Sequence, residues 1–177
     1  RGEGMRLLVA DDEKELVNAL SVVLKHNQYM VDAVYNGTDA LDYALTGDYD
    51  GIVLDVMMPR MDGYEFTETL RSSGCDLPIL MVTAKEKPAD KRKGFIIGTD
   101  DYMVKPVDEE EMILRIAALL RRSKIVNEHR LTIGSTVLDY DALSVKTAEG
   151  ISELPKKEFL LLFKLLSYSN KIFTRRQ

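Results

Sequence analysis

Short apolar runs that alternate with helix-period segments constrain this chain more than any other feature. Met5–Ala10 is apolar except for Arg6, the pattern of a strand buried on both faces. Leu16, Leu20, Val23 and Leu24 then recur at helical spacing. Met30–Val34 is a second strand, and Asn36-Gly37 reads as a turn before Ala40, Leu41, Ala44 and Leu45 mark a second helix. Ile52-Val53-Leu54 runs into Asp55; a loop with Pro59 and Gly63 leads to a helix through Phe66 and Leu70. Pro78 opens the strand Ile79–Thr83, and Pro88 suits the first turn of a helix that Gly98 ends. Tyr102-Met103-Val104 is a fifth strand. Asp108 with Glu111 has the form of a capping box ahead of Met112, Ile113, Ile116, Leu119 and Leu120.

Strand and helix alternate five times, so the fold class is α/β: a parallel sheet, helices on both faces, right-handed crossovers. Residues 5–122 form this domain, and 1–4 read as an expression remnant ahead of Met5. The polar segment 123–130 reads as a linker. Beyond it, Leu131–Leu138 and Leu143–Thr147 read as short strands around an Asp139–Asp141 turn, and Ile151–Leu154 as another. Phe159, Leu160, Leu162, Phe163 and Leu166 give an amphipathic helix, and Thr174 has the character of an N-cap for one more.

Composition narrows the class of function. No apolar run approaches the roughly 18 residues that span a bilayer, so no membrane segment is expected. A single cysteine, Cys75, excludes an intrachain disulfide and suits a reducing cytoplasmic compartment. Residues 1–122 carry 15 Lys/Arg against 23 Asp/Glu, and residues 123–177 carry 9 against 6. An acidic front and a mildly basic back point to two domains with different partners.

The polar residues gather on one edge of the expected sheet. Asp11 and Asp12 follow the first strand, Asp55 ends the third, Thr83 ends the fourth and Lys105 follows the fifth. Ligands bind at the carboxyl ends of parallel strands, near the switch point of strand order. Three carboxylates there need a counter-charge, and oxygen ligands suit Mg²⁺. A carboxylate beside a metal, an ammonium and a hydroxyl is a place to receive a phosphoryl group. Ala84 leaves that place open. Each residue alone is ordinary: paired acids usually start a solvated helix, and Lys105-Pro106 would be a plain turn. Their joint placement carries the reading.

Asp11-Asp12, Val53-Leu54-Asp55-Val56-Met57-Met58-Pro59, Asp62-Gly63, Thr83-Ala84 and Asp100-Asp101-Tyr102-Met103-Val104-Lys105-Pro106 resemble the receiver domain of a two-component response regulator. The resemblance implies a doubly wound, flavodoxin-like sheet of order 2-1-3-4-5. Residues 131–177, with Leu154-Pro155-Lys156-Lys157-Glu158-Phe159 and Ile172-Phe173-Thr174-Arg175, resemble the first part of the winged-helix DNA-binding domain of the OmpR/PhoB family. By the same resemblance, Asp55 accepts phosphate from a sensor histidine kinase. Asp11, Asp12, Asp55 and the Met57 carbonyl hold Mg²⁺. Thr83 and Lys105 bond phosphoryl oxygens, the Lys105-Pro106 bond is cis, and Tyr102 is an aromatic switch that turns inward. Met57 and Lys85 resemble positions that tune acyl-phosphate lifetime. Phosphorylation is expected to form a homodimer through a face carrying Lys91, Arg92, Asp100, Asp101, Glu111, Arg115 and Arg122, and to control binding to promoter DNA. The recognition helix and wing are expected beyond Thr174, outside this chain, which leaves Phe159, Leu162, Phe163 and Leu166 short of packing partners. Val107 and Thr99 depart from the usual Phe and Ala.

Two other functions fit the sequence less well. A haloacid-dehalogenase-like phosphatase needs a second aspartate two residues after the first, where this chain has Met57. A flavodoxin-like cofactor binder needs a Ser/Thr/Gly-rich loop where this chain has Asp11-Asp12-Glu13. Cys75 is expected to be an inert thiol, and His26 and His129 stand in no metal-ligand spacing.

Overall fold

The computed structural model describes residues 4–84, 98–128 and 130–167. The chain divides into two compact units, Arg1–Leu120 and Arg121–Gln177.

In the first unit, β1 (Arg6–Ala10), β2 (Met30–Val34), β3 (Gly51–Asp55), β4 (Ile79–Thr83) and β5 (Asp101–Val104) form a parallel sheet of order β2-β1-β3-β4-β5. The apolar strand runs have two faces to fill, and alternate residues fill them. Leu8, Ala10, Ile52, Leu54, Ile79 and Met81 pack with Ala40 and Ala44 of α2 (Gly37–Thr46) and Phe66 and Leu70 of α3 (Gly63–Ser72). Leu7, Val9, Val53, Leu80, Val82 and Met103 pack with Val17, Leu20 and Leu24 of α1 (Lys14–His26) and Met112, Ile116, Leu119 and Leu120 of α4 (Glu109–Glu128). Burial on both faces is why these strands are continuously apolar rather than alternating.

Capping side chains set where the helices begin. Asn36, expected in a turn, is the N-cap of α2 and accepts the Asp39 amide at 2.8 Å; Asp62 does the same for Glu65 at the start of α3. Asp108 accepts the Glu111 amide at 2.8 Å, the forward half of the expected capping box. The helix expected to start at Pro88 lies outside the described residues, as do Lys85, Lys91, Arg92 and Thr174.

Two expectations need correction. The segment 123–130 is not an irregular linker: α4 continues through Glu128, and Ile125 faces the core of the second unit. Polar residues such as Arg121, Arg122 and Lys124 are good helix formers, so polarity alone did not mark a break. Leu131–Leu138 is not one strand. It is β6 (Arg130–Ile133) and β7 (Thr136–Asp139), folded back at Gly134, whose φ of +59° an L side chain rarely adopts.

With β8 (Ser144–Thr147) and β9 (Gly150–Glu153), these strands make an antiparallel sheet of order β6-β7-β8-β9. Asp139 accepts the amides of Asp141 and Ala142, which closes the β7–β8 turn. The sheet covers α5 (Lys156–Ser167) better than expected. Phe159 is fully buried with Ile125, Leu131 and Leu138, and the Tyr140 ring stands edge-on to Phe159 and Phe163. Leu162, Phe163 and Leu166 are half-buried; Leu161 and Leu165 stay exposed.

One cation ties the amino ends of β4 and β5 to α3. Arg71 donates from Nε to the Gly98 carbonyl and from Nη1 to the Cys75 carbonyl, both at 3.0 Å, and from Nη2 to Asp100 Oδ2 at 3.1 Å. Asp100 Oδ2 also accepts the Ile79 amide at 2.8 Å. Gly98 sits at φ +109°, a conformation an L side chain rarely adopts, and a Cβ there would also crowd Arg71 Cγ at 3.0 Å. Arg71→Met keeps the apolar stem and loses all three bonds. It is expected to lower unfolding free energy by about 1–3 kcal/mol, the range for a few partly exposed charge-assisted bonds. Urea unfolding checks this, and an unchanged midpoint would refute the clamp.

Candidate functional site

The site forms where parallel pairing aligns strand ends. Ala10 pairs with Leu54, which sets Asp11 beside Asp55; Thr83 pairs with Val104, which sets Lys105 beside Thr83. The Lys105 amide donates to the Thr83 carbonyl at 2.9 Å and extends that ladder by one residue. Of the expected site residues, Asp11, Asp55 and Thr83 are buried, and Asp12 and Ala84 are exposed.

The carboxylates of Asp11, Asp12 and Asp55 each offer an oxygen within 4.8 Å of the others. The Lys105 ammonium lies among them, 2.9 Å from Asp11 Oδ2 and 3.4 Å from Asp55 Oδ2. Glu13 Oε2 is a fourth carboxylate oxygen, 3.9 Å away. Asp11 Oδ1 also accepts the Glu13 amide at 2.9 Å, so this acid is held at both oxygens. Glu13 was not singled out in the sequence; its adjacency to Asp11-Asp12 was the available signal.

Burial pushes the Asp55 carboxyl up, and the Asp11 charge pushes it further; Lys105 and the Met57 amide oppose them. The balance leaves it raised from 3.8 to about 6. Burial alone would lower the Lys105 ammonium, but the Asp11 hydrogen bond and the Asp55 charge outweigh it, so Lys105 is raised. Lys105 therefore stays charged, while Asp55 is mostly ionised at neutral pH but poorly stabilised. The chemistry of this donor set fits a hard divalent cation: clustered carboxylate oxygens with more negative charge than one ammonium offsets.

Glycines bring backbone close to the acceptor loop. A Cβ on Gly63 would lie 2.4 Å from the Asp55 carbonyl oxygen, and the Gly63 amide donates to the Val56 carbonyl at 2.8 Å. A Cβ on Gly37 would overlap the Met61 carbonyl oxygen in the same loop. Met57 projects its side chain into solvent, so its part in the site is through its backbone. The Lys105-Pro106 peptide is cis.

Tyr102 is buried and shares a 2.7 Å hydroxyl–hydroxyl hydrogen bond with Tyr64 of α3, a residue that no sequence motif marks. Thr99 is also buried, and its Oγ1 has no hydrogen-bond partner among the described residues; Val107 packs on the α1/α4 side of the core. The charges assigned to a dimer face are partly paired within the chain. Arg115 reaches Asp101 at 2.9 Å and Glu111 at 2.8 Å, and Asp100 is held by Arg71.

Because folding raises the Asp55 pKa, its ionisation opposes folding. The stability this carboxyl contributes is complete below its unfolded value near 4 and is lost as pH rises through about 6. Asp55→Asn is therefore expected to exceed the wild type in stability at pH 7.5 without divalent cations, by on the order of 2 kcal/mol. The gap should close by about pH 4 in urea titrations. A gap that did not vary with pH would show that ionisation of Asp55 costs nothing.

Comparison with known proteins agrees with this geometry. The response regulator receiver domain family matches residues 7–117. The transcriptional regulatory protein DltR of Streptococcus agalactiae is 35% identical over 173 residues, 98% of this chain and 77% of that protein. The response regulator MprA of Mycobacterium avium is 38% identical over 174 residues, 97% and 76% of the two chains. Among solved structures, DrrB, an OmpR/PhoB homologue from Thermotoga maritima, aligns with a TM-score of 0.63 and 28% identity over 97% of this chain and 76% of that one. The receiver domain of the Francisella response regulator 1452 aligns with a TM-score of 0.66 and 32% identity, covering 68% of this chain and 99% of that one. The chain belongs to the two-component response regulators that control transcription, with a receiver domain followed by the strands and helix of the OmpR/PhoB type.

Proposed function

We propose that Asp55 is the phosphoacceptor of this regulator, that a sensor histidine kinase is the donor, and that phosphorylation controls dimerisation and promoter binding. One observation carries the assignment: a buried carboxylate with a raised pKa, flanked by a second acid, has the Lys105 ammonium 3.4 Å from its oxygen at the open edge of the sheet. An Asp55 oxygen attacks the phosphorus of a phosphohistidine. The P–N bond breaks, the imidazole leaves with the electron pair, and an aspartyl phosphate remains. Asp55 can act as nucleophile near neutral pH because it is mostly ionised there.

Lys105 moves from balancing Asp11 and Asp55 to balancing the phosphoryl oxygens, and the Thr83 hydroxyl donates to another of them. Asp11, Asp12, Asp55 and the Met57 carbonyl would hold Mg²⁺. Bound there, it would neutralise phosphoryl charge that Lys105 alone cannot. Hydrolysis of the acyl phosphate returns Asp55, so the protein acts as a self-resetting regulator rather than an enzyme with an external substrate.

Among the described residues no helix is long and apolar enough to cross a membrane. The proposed promoter DNA partner supports a cytoplasmic location. Tyr102 is the candidate switch residue, since its strand leads directly to Lys105. The proposed dimer face uses charges of β5 and α4, together with Lys91 and Arg92, which lie outside the described residues. Arg115, Asp101, Asp100, Glu111 and Arg122 would pair there across a two-fold axis.

Acetyl phosphate with Mg²⁺ is expected to add one phosphoryl mass to the wild type and none to Asp55→Asn; equal labelling would move the acceptor to another acid. Asp12→Ala should weaken Mg²⁺ binding about tenfold or more, as loss of a ligand does. Arg115→Glu should lower the dimerisation that sedimentation detects after beryllofluoride activation. An unchanged dimer would assign the interface to another face.

A further inference from the structure

Tyr64 and Tyr102 come from elements that otherwise serve opposite sides of the site. Tyr64 is the second residue of α3 and follows Gly63, whose backbone is seated on the Asp55 carbonyl. Tyr102 is the second residue of β5, paired in register with Met81 of β4 and three residues before Lys105. Their hydroxyls lie 2.7 Å apart, and the side chains are 5% and 7% exposed. Both rings belong to the same apolar cluster as Leu54, Met81 and Phe66. A buried tyrosine hydroxyl needs a partner, and each of these supplies one to the other.

The backbone at this point is held by other groups. Asp101 Oδ1 accepts the Tyr102 amide at 2.8 Å, and Arg115 holds Asp101. The hydroxyl pair therefore acts on the position of the Tyr102 ring rather than on the strand. A phenylalanine at position 64 would fill the same space and remove the hydroxyl that bonds Tyr102.

We propose that Tyr64 is a positioning residue: its hydroxyl latches the Tyr102 ring in the buried position and so biases the receiver toward the state that phosphorylation stabilises. This rests on reading Tyr102 as the switch residue. A bond made in only one of two ring positions shifts the equilibrium between them by its net free energy. For a net hydrogen bond that is about fivefold. By linkage, the same factor enters the apparent affinity for a phosphoryl analogue at Asp55 when the open ring position dominates without the bond. The latch couples the helix that follows the acceptor loop to the strand that carries the lysine.

The test uses the whole chain with ring-labelled tyrosine, saturating Mg²⁺ and increasing beryllofluoride. The Tyr102 ring signal is assigned by its absence in Tyr102→Phe. In unliganded Tyr64→Phe that signal should move toward the position of an exposed tyrosine. Half-saturation should need about fivefold more beryllofluoride than in the wild type. The double variant Tyr64→Phe/Tyr102→Phe should bind no more weakly than Tyr102→Phe alone, because the link is already gone. A Tyr102 signal unchanged in unliganded Tyr64→Phe, with equal midpoints and additive effects, would overturn the latch. Tyr64→Leu provides a second variant without the hydroxyl should the first fold poorly. A merely structural role would lower unfolding stability without moving the ring signal. Failure of the wild type to bind beryllofluoride would overturn the Asp55 assignment instead, and the unliganded ring signal would still decide the latch.

Discussion

The Lys105 ammonium balances a charge cluster that the sheet would otherwise build at a high cost. Parallel pairing sets Asp11 beside Asp55, and both are buried. Burial raises the pKa of Asp55, and the neighbouring Asp11 charge raises it further. Lys105 reaches both from the end of β5. Its position depends on the β4–β5 ladder, which its own amide extends to Thr83. The register of strands on one side of the sheet thus sets how far Asp55, on the other side, can ionise. The compensation is incomplete, and the unbalanced charge is what a cation or a phosphoryl group would meet. Stability withheld at such a site is a familiar cost of function.

The acceptor loop is placed by packing rather than by its own hydrogen bonds alone. Gly63 lets α3 start against the Asp55 carbonyl, and Gly37 lets α2 start against Met61. A Cβ at either position would push the loop away from the acids. Phe66 and Leu70 then anchor α3 in the core, and Arg71 ties its far end to the Cys75 and Gly98 carbonyls. One helix therefore connects the carboxyl edge of the sheet to its amino edge. Tyr64, at the start of that helix, meets Tyr102 of β5 through its hydroxyl.

The charges on β5 and α4 are in use within the chain. Arg115 is held by Asp101 and Glu111, and Asp100 by Arg71. A second copy engaging these groups would have to exchange bonds rather than add them. Exposed pairs of this kind contribute at most about 1 kcal/mol each. Charge pairing is therefore suited to setting the register of a dimer, while apolar contact supplies its affinity.

The sequence by itself determined the first unit's architecture and the membership of the site. Strands buried on both faces must be continuous apolar runs, so their ends are visible as the first polar residues, and those residues are Asp11, Asp55, Thr83 and Lys105. Local signals also found the capping at Asp108 and the turn at Asp139. Tertiary structure alone decided the pairings. Lys105 bonds an acid 94 positions away, Tyr64 meets Tyr102 across 38, and Arg71 reaches Gly98 across 27. Periodicity reports which face a residue occupies, not which partner stands opposite it. The same limit explains the errors in the second unit. A polar segment that could be linker or helix became the end of α4 because Ile125 found a core to enter. An apolar segment that could be one strand or two was divided at Gly134, where only the antiparallel pairing of β6 with β7 calls for a reversal.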